Sequence, residues 1–224
     1  MDSQKISLDR LTIINTQPKY AEGVCRAVRR AFHVDLDEDC DECMKPRHIE
    51  QQIDQFPEGQ FVAVYTEDDG TENVVGMAAT MRTSRQPTDK ALDWITQIGD
   101  LGIRNHEPNG EWLYGVEMAV RPMYHRNGIG TKLYKARFQL VKDLNLRGWY
   151  AVGMLMGYEN YADEMDVETY GNKVIAGELI DPTVSMQMNR GFRAEYVVTD
   201  YLDEPPAGDA GVLIIWDNPD YKGE

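Results

Sequence analysis

The stretch from Trp112 to Leu144 constrains the fold more than any other part of the chain. It opens with the apolar run Trp112-Leu113-Tyr114-Gly115-Val116-Glu117-Met118-Ala119-Val120, which reads as a strand stopped by Pro122. A loop carrying Gly128 and Gly130 follows. Ile129, Leu133, Ala136, Leu140 and Leu144 then recur at intervals of three and four, one face of an amphipathic helix, with Gly148 read as its stop. A helix mouth exposes unpaired backbone N–H groups and the positive end of the helix dipole. Glycines at 128 and 130 leave no side chain between those amides and an incoming phosphate, and Arg126 and Lys132 add positive charge, so the loop reads as an anion site. Two nucleotide loops are excluded by spacing. Leu133 stands where a dinucleotide fingerprint needs its third glycine, and Gly130-Thr131-Lys132 does not complete a phosphate-binding P-loop.

The rest of the chain places this unit in a larger sheet. Leu11–Ile14 reads as a short strand, and Tyr20–Phe32 and Pro46–Gln55 read as helices separated by the acidic stretch Asp35–Glu42. Phe61–Tyr65 and Val74–Thr80 flank the turn-forming Asp68-Asp69-Gly70 and predict a hairpin. Residues 83–110 read as a long connection with a helical patch near Leu92, Trp94 and Ile95. Trp149–Met156 is another apolar strand. A polar insertion over 158–178 precedes a helix over Pro182–Asn189 and final strands near Ala194–Thr199 and Val212–Trp216. Hairpins alternating with helix crossovers predict an α/β fold (α+β by some schemes) with a mixed sheet covered by helices. The 224 residues are expected to form one domain over 1–224, with insertions near 83–110 and 158–181.

Composition narrows the class of function. A net charge of −15 argues against nonspecific nucleic-acid binding and permits attraction of a cationic substrate. No window approaches 18 consecutive apolar residues, and the N-terminus MDSQKISLDR lacks the apolar core of a secretory signal. A cytoplasmic protein without a membrane span is the expectation. The three cysteines, Cys25, Cys40 and Cys43, are too few for a disulfide framework. Cys40-Asp-Glu-Cys43 has the spacing of half a zinc site but lacks a second half, so no metal is expected.

The run Val120-Arg121-Pro122-Met123-Tyr124-His125-Arg126-Asn127-Gly128-Ile129-Gly130-Thr131-Lys132-Leu133 resembles the acetyl-CoA signature of the GNAT superfamily of acyl-CoA N-acyltransferases. His125 departs from that signature, which usually has Gln or Arg there. The element order is also similar over roughly residues 10 to 216. The resemblance implies a mostly antiparallel twisted sheet of about seven strands. Phe56-Pro57-Glu58-Gly59-Gln60-Phe61, Leu113-Tyr114-Gly115, Leu133–Arg137 and Asp181-Pro182-Thr183 before Gly191-Phe192 are similar to one branch, sometimes found beside a nitrilase-like carbon–nitrogen hydrolase domain that this chain is too short to hold.

The resemblance implies an N-acetyltransferase that moves an acetyl group from acetyl-CoA to a primary amine of a small molecule or protein. His125, Arg126, Asn127, Gly128, Ile129, Gly130 and Thr131 would hold the diphosphate, and the backbone of Met118 and Val120 the pantetheine arm. An amide near Met118 or Ala119 would face the oxyanion. Glu117 is the candidate base, as the one carboxylate in an apolar strand. Many relatives use a tyrosine as general acid four residues before the glycine of Gly191-Phe192, where this chain has Gln187. Tyr158, Tyr161 or Tyr170 could substitute. The acids Asp163, Glu164, Asp166 and Glu168 could line an acidic lid, or simply face solvent. Two other readings stay open, a CoA-thioester decarboxylase or S-acyltransferase and a non-catalytic acyl-CoA-binding module. A homodimer is compatible with the sequence.

Overall fold

The computed structural model describes residues 4–34 and 43–223. A seven-stranded sheet runs through it in the order β1-β2-β3-β4-β5-β7-β6. Its strands are β1 (Leu11–Asn15), β2 (Gln60–Thr66), β3 (Glu72–Thr83), β4 (Trp112–Val120), β5 (Gly148–Met154), β6 (Arg193–Val198) and β7 (Gly211–Asp217). Every neighbouring pair is antiparallel except β4 and β5. The expected mixed, mostly antiparallel sheet is therefore present, flanked by helices.

Among the described residues six α-helices accompany the sheet. They are α1 (Ala21–Ala31), α2 (Pro46–Gln55), α3 (Trp94–Ile98), α4 (Ile129–Asp143), α5 (Val167–Ile175) and α6 (Val184–Met188). The residues Phe61 to Tyr65 of β2 are all buried, as a central strand with both faces covered requires. Helix α4 buries Ile129, Leu133, Leu140 and Val141. Around its outer half, Phe138 meets Trp149, Phe192 and Trp216, with ring centroids 4.6 to 5.6 Å apart. Trp149 and Trp216 thus belong to packing, and Trp112 packs edge-on against Tyr150.

Three local readings need correction. Gly148 does not close α4. The helix ends at Asp143, Asn145 takes the left-handed conformation (φ 48°), and Gly148 opens β5. The polar insertion contains α5, whose inner face is Tyr170, Gly171 and Val174, capped by Asp166 accepting from the Thr169 amide. Cys43 is disulfide-bonded while Cys25 is free and buried. The acidic stretch Asp35–Glu42, with Cys40, lies outside the described residues.

The pairing of β4 with its neighbours prepares the site. β4 and β5 pair at only three positions, Trp112↔Gly148, Leu113↔Trp149 and Tyr114↔Tyr150. Beyond Gly115 the two strands diverge. On its other side β4 pairs with β3, but Ala79 faces Glu117 while Thr80 faces Gly115, so Val116 is the extra residue of a bulge. The carbonyl of Val116 is taken by the Trp94 indole N–H at 2.9 Å.

Candidate active site

A cleft of about 750 Å³ opens where β4 and β5 part. The bulged half of β4, the mouth of α4 and the end of α6 line it. Met118, Ala119, Val120, His125, Arg126, Gly128, Ile129, Gly130 and Thr131 all reach the cleft, as does Glu117. Asn127 does not line it. Its side-chain amide donates to the carbonyls of Gln4, Tyr124 and His125, and its oxygen accepts from the Ile6 amide. Asn127 therefore staples the loop to the N-terminal segment from behind. Lys132 is also absent from the lining.

The loop gathers its free amides on one side. Arg126 and Gly128 both take positive φ (61° and 75°), which turns consecutive amides toward one side. The amides of Arg126 through Thr131 have no hydrogen-bond partner among the described residues; the first bond of the helix is Lys132 N–H to the Gly128 carbonyl. A Cβ added at Gly128 or Gly130 would meet no atom within 4 Å, so the space in front of both is open. Arg190, just past α6, reaches across and donates to the Thr131 hydroxyl at 3.1 Å while stacking over Tyr134. It supplies the cation that Lys132 does not. Sequence reasoning passed over Arg190 because only the folded chain brings residues 131 and 190 together.

Along β4 the backbone groups sort into two directions. Arg121 N–H donates to the Val75 carbonyl of β3, and alternation along the ladder points the Ala119 amide the same way. Ala119 is thus excluded as an amide donor to the cleft, and the amides of Met118 and Val120 face the gap. The Val120 carbonyl accepts from His125 Nε2 at 2.9 Å, and since a carbonyl only accepts, that nitrogen carries the proton. His125 serves the strand end by this bond.

Glu117 faces the cleft with its carboxylate accepting from the Met118 amide at 2.9 Å. Burial pushes its pKa up to about 7, with Glu204 adding to the rise and the Met118 bond and Arg137 opposing it. Among the described residues no cation forms an ion pair with it. The cleft mouth beside it carries Tyr201 and Glu204, neither singled out by sequence. Tyr201 is held by a 2.6 Å hydroxyl pair with Tyr114, and its main-chain carbonyl accepts from the Trp94 amide.

The insertion contributes nothing to the lining. Tyr158, Tyr161 and Tyr170 pack on one another, and Tyr170 donates to Asp181. Asp163, Glu164, Asp166 and Glu168 are likewise away from the cleft. Tyr124, Tyr134 and Tyr201 do line it, and Tyr134 of α4 accepts from the Gln187 side-chain amide at 3.1 Å. Met154, Met156 and Met186 give the far wall an apolar character.

Comparison with known proteins agrees with this geometry. The chain matches the acetyltransferase (GNAT) family over residues 25–155, more than half its length. It is similar to the probable hydrolase YhcX of Bacillus subtilis (strain 168), with 32% identity over 192 residues covering 84% of this chain and 36% of that protein. It is also similar to the uncharacterized N-acetyltransferase YkwB of the same organism, with 29% identity over 174 residues covering 78% of this chain and 75% of the relative. The chain thus spans about a third of the length of the first relative. Among solved structures, the GphF GNAT-like decarboxylase in complex with isobutyryl-CoA aligns with a TM-score of 0.74 at 18% identity, covering 92% of this chain and 99% of that one. At that identity the likeness is one of fold.

Proposed function

We propose that this chain, which belongs to the GNAT acetyltransferase family, is an N-acetyltransferase that transfers an acetyl group from acetyl-CoA to a primary amine within a ternary complex. The observation that carries the reading is the open cradle at Gly128 and Gly130, with six amides bare of partners and Arg190 beside them. Diphosphate fits such a mouth, since amides and helix dipole both favour negative charge there. Coenzyme A supplies the activated thioester. The Val120 amide would bond the pantetheine arm, and the Met118 amide, which donates to Glu117, would turn to the carbonyl oxygen when the thioester is bound.

Glu117 takes the proton. An ammonium must be deprotonated before nitrogen attacks, and a carboxylate with a pKa near 7 is half in its basic form at neutral pH. Glu117 accepts the ammonium proton directly or through one water before attack; as the C–N bond forms and the C–S bond breaks, the second N–H proton goes to the departing sulfur, giving the amide and the free thiol. The thiolate is a fair leaving group, and Tyr134 is a phenol at hand to relay that proton. The acceptor enters past Glu204 and Tyr201, a mouth whose carboxylate suits a cation. An ion pair holding Glu117 away from the cleft would favour the non-catalytic reading; among the described residues Glu117 has no ion pair, and it lines the cleft. The test is thiol release from acetyl-CoA with a panel of amines. Release that requires an amine is expected. Carbon dioxide from malonyl-CoA without amine dependence would favour the decarboxylase reading instead.

A further inference from the structure

Arg137 lies two turns into α4 and is 3% exposed, yet it lines the cleft. Its guanidinium lies over Trp149 at 4.2 Å and Tyr134 at 4.6 Å, two rings whose centroids are only 5.4 Å apart, so both flank the group from one side. One N–H reaches the thioether sulfur of Met118 at 2.9 Å, a weak acceptor, and the Nε–H has no partner. The indole N–H of Trp149, 1% exposed, is also unpartnered, and it sits beside Gly115 where the β4–β5 pairing ends. Among the described residues no carboxylate forms an ion pair with Arg137.

A buried guanidinium without a counter-ion is costly. Burial lowers its pKa only to about 10, so it stays charged at neutral pH. The diphosphate cradle does not serve it, because Arg137 lies seven residues beyond Gly130, about 10 Å deeper along the helix at 1.5 Å per residue. That depth belongs to the reacting end of the cleft. We infer that Arg137 and the Trp149 indole form a carboxylate subsite, so that one of the two substrates carries a carboxylate. The fork of Arg137 suits both carboxylate oxygens, which a lysine at this position would not match. Two sources share this chemistry, the acyl chain of a dicarboxylic-acid monothioester of CoA and the carboxylate of an amino-acid acceptor.

The inference rests on the acyl-CoA reading of the cleft, and the experiment separates the two. Titration calorimetry on the whole protein measures coenzyme A, then malonyl- and succinyl-CoA against butyryl-CoA. In the presence of coenzyme A it also measures amino acids against their amides. In one of the two arms the carboxylate ligand is expected to bind at least about tenfold tighter than its neutral counterpart. Arg137→Met should bring that ratio close to one. Replacing a buried charge by an apolar side chain of similar length is tolerated in folding, which thermal melting verifies. Arg137→Lys should leave an intermediate ratio. Equal affinities in both arms for protein that binds coenzyme A, or a ratio unchanged in Arg137→Met, overturns the inference alone. Failure to bind coenzyme A overturns the acyltransferase reading and this inference with it.

Discussion

Under the proposed function Glu117 has two opposed roles, and pH pulls them apart. Its folded pKa of about 7 exceeds the ordinary 4.5, so the folded state binds the proton more tightly than the unfolded chain. Stability is therefore lost as pH rises from about 4.5 to about 7 and levels off above that, by at most about 3 kcal/mol. If Glu117 is the base, activity needs its deprotonated form and should rise over the same window. Glu117→Gln keeps an oxygen for the Met118 amide and removes the charge. Its melting temperature should exceed that of the wild type by several degrees at pH 8, with the difference vanishing near pH 4.5, read by calorimetry. Its acetylation rate at pH 7 should fall roughly a hundredfold or more while coenzyme A affinity holds. Equal rates would retire Glu117 as the base. Arg190→Gln removes the cation beside Thr131 and should weaken coenzyme A binding by about tenfold.

At the scale of elements, the mouth of α4 is the part most exposed to single substitutions. Gly128 takes a φ of 75° and faces open space, so Gly128→Leu both strains the backbone and places a branched side chain in front of the bare amides. Coenzyme A affinity should fall more than tenfold in a variant that still folds. Asn127→Ala removes the staple to Gln4 and Ile6 without touching the cleft. It should cost roughly 1–2 kcal/mol of stability in denaturant titration. The strand, loop and helix at 112–143 were legible in sequence because an apolar run, two glycines and a 3.6-residue period each have a local cause. Helix α5 was not, since only Tyr170, Gly171 and Val174 face inward among charged neighbours. The bulge at Val116 was equally hidden, because register depends on β3, some 35 residues away in sequence.

Across the whole molecule, the cleft exists because the sheet is joined at its middle by only three parallel pairs. That division, β1 to β4 on one side and β5, β7 and β6 on the other, has no signal in the residues around it. Arg137 and Arg190 carry no local signal in the sequence and converge on Tyr134 only after folding. Glu117 stood out as the one acid of an apolar strand, whereas Tyr201 and Glu204 reach it through a loop. In the proposed complex coenzyme A lies with its diphosphate on the α4 mouth and its arm between β4 and β5. A crystal structure after soaking with coenzyme A tests this most directly. Phosphate oxygens within hydrogen-bond distance of the amides from Arg126 to Thr131, and the thiol end near Glu117, are the predicted result. Nucleotide density elsewhere, or a cradle left vacant at saturating coenzyme A, would contradict it.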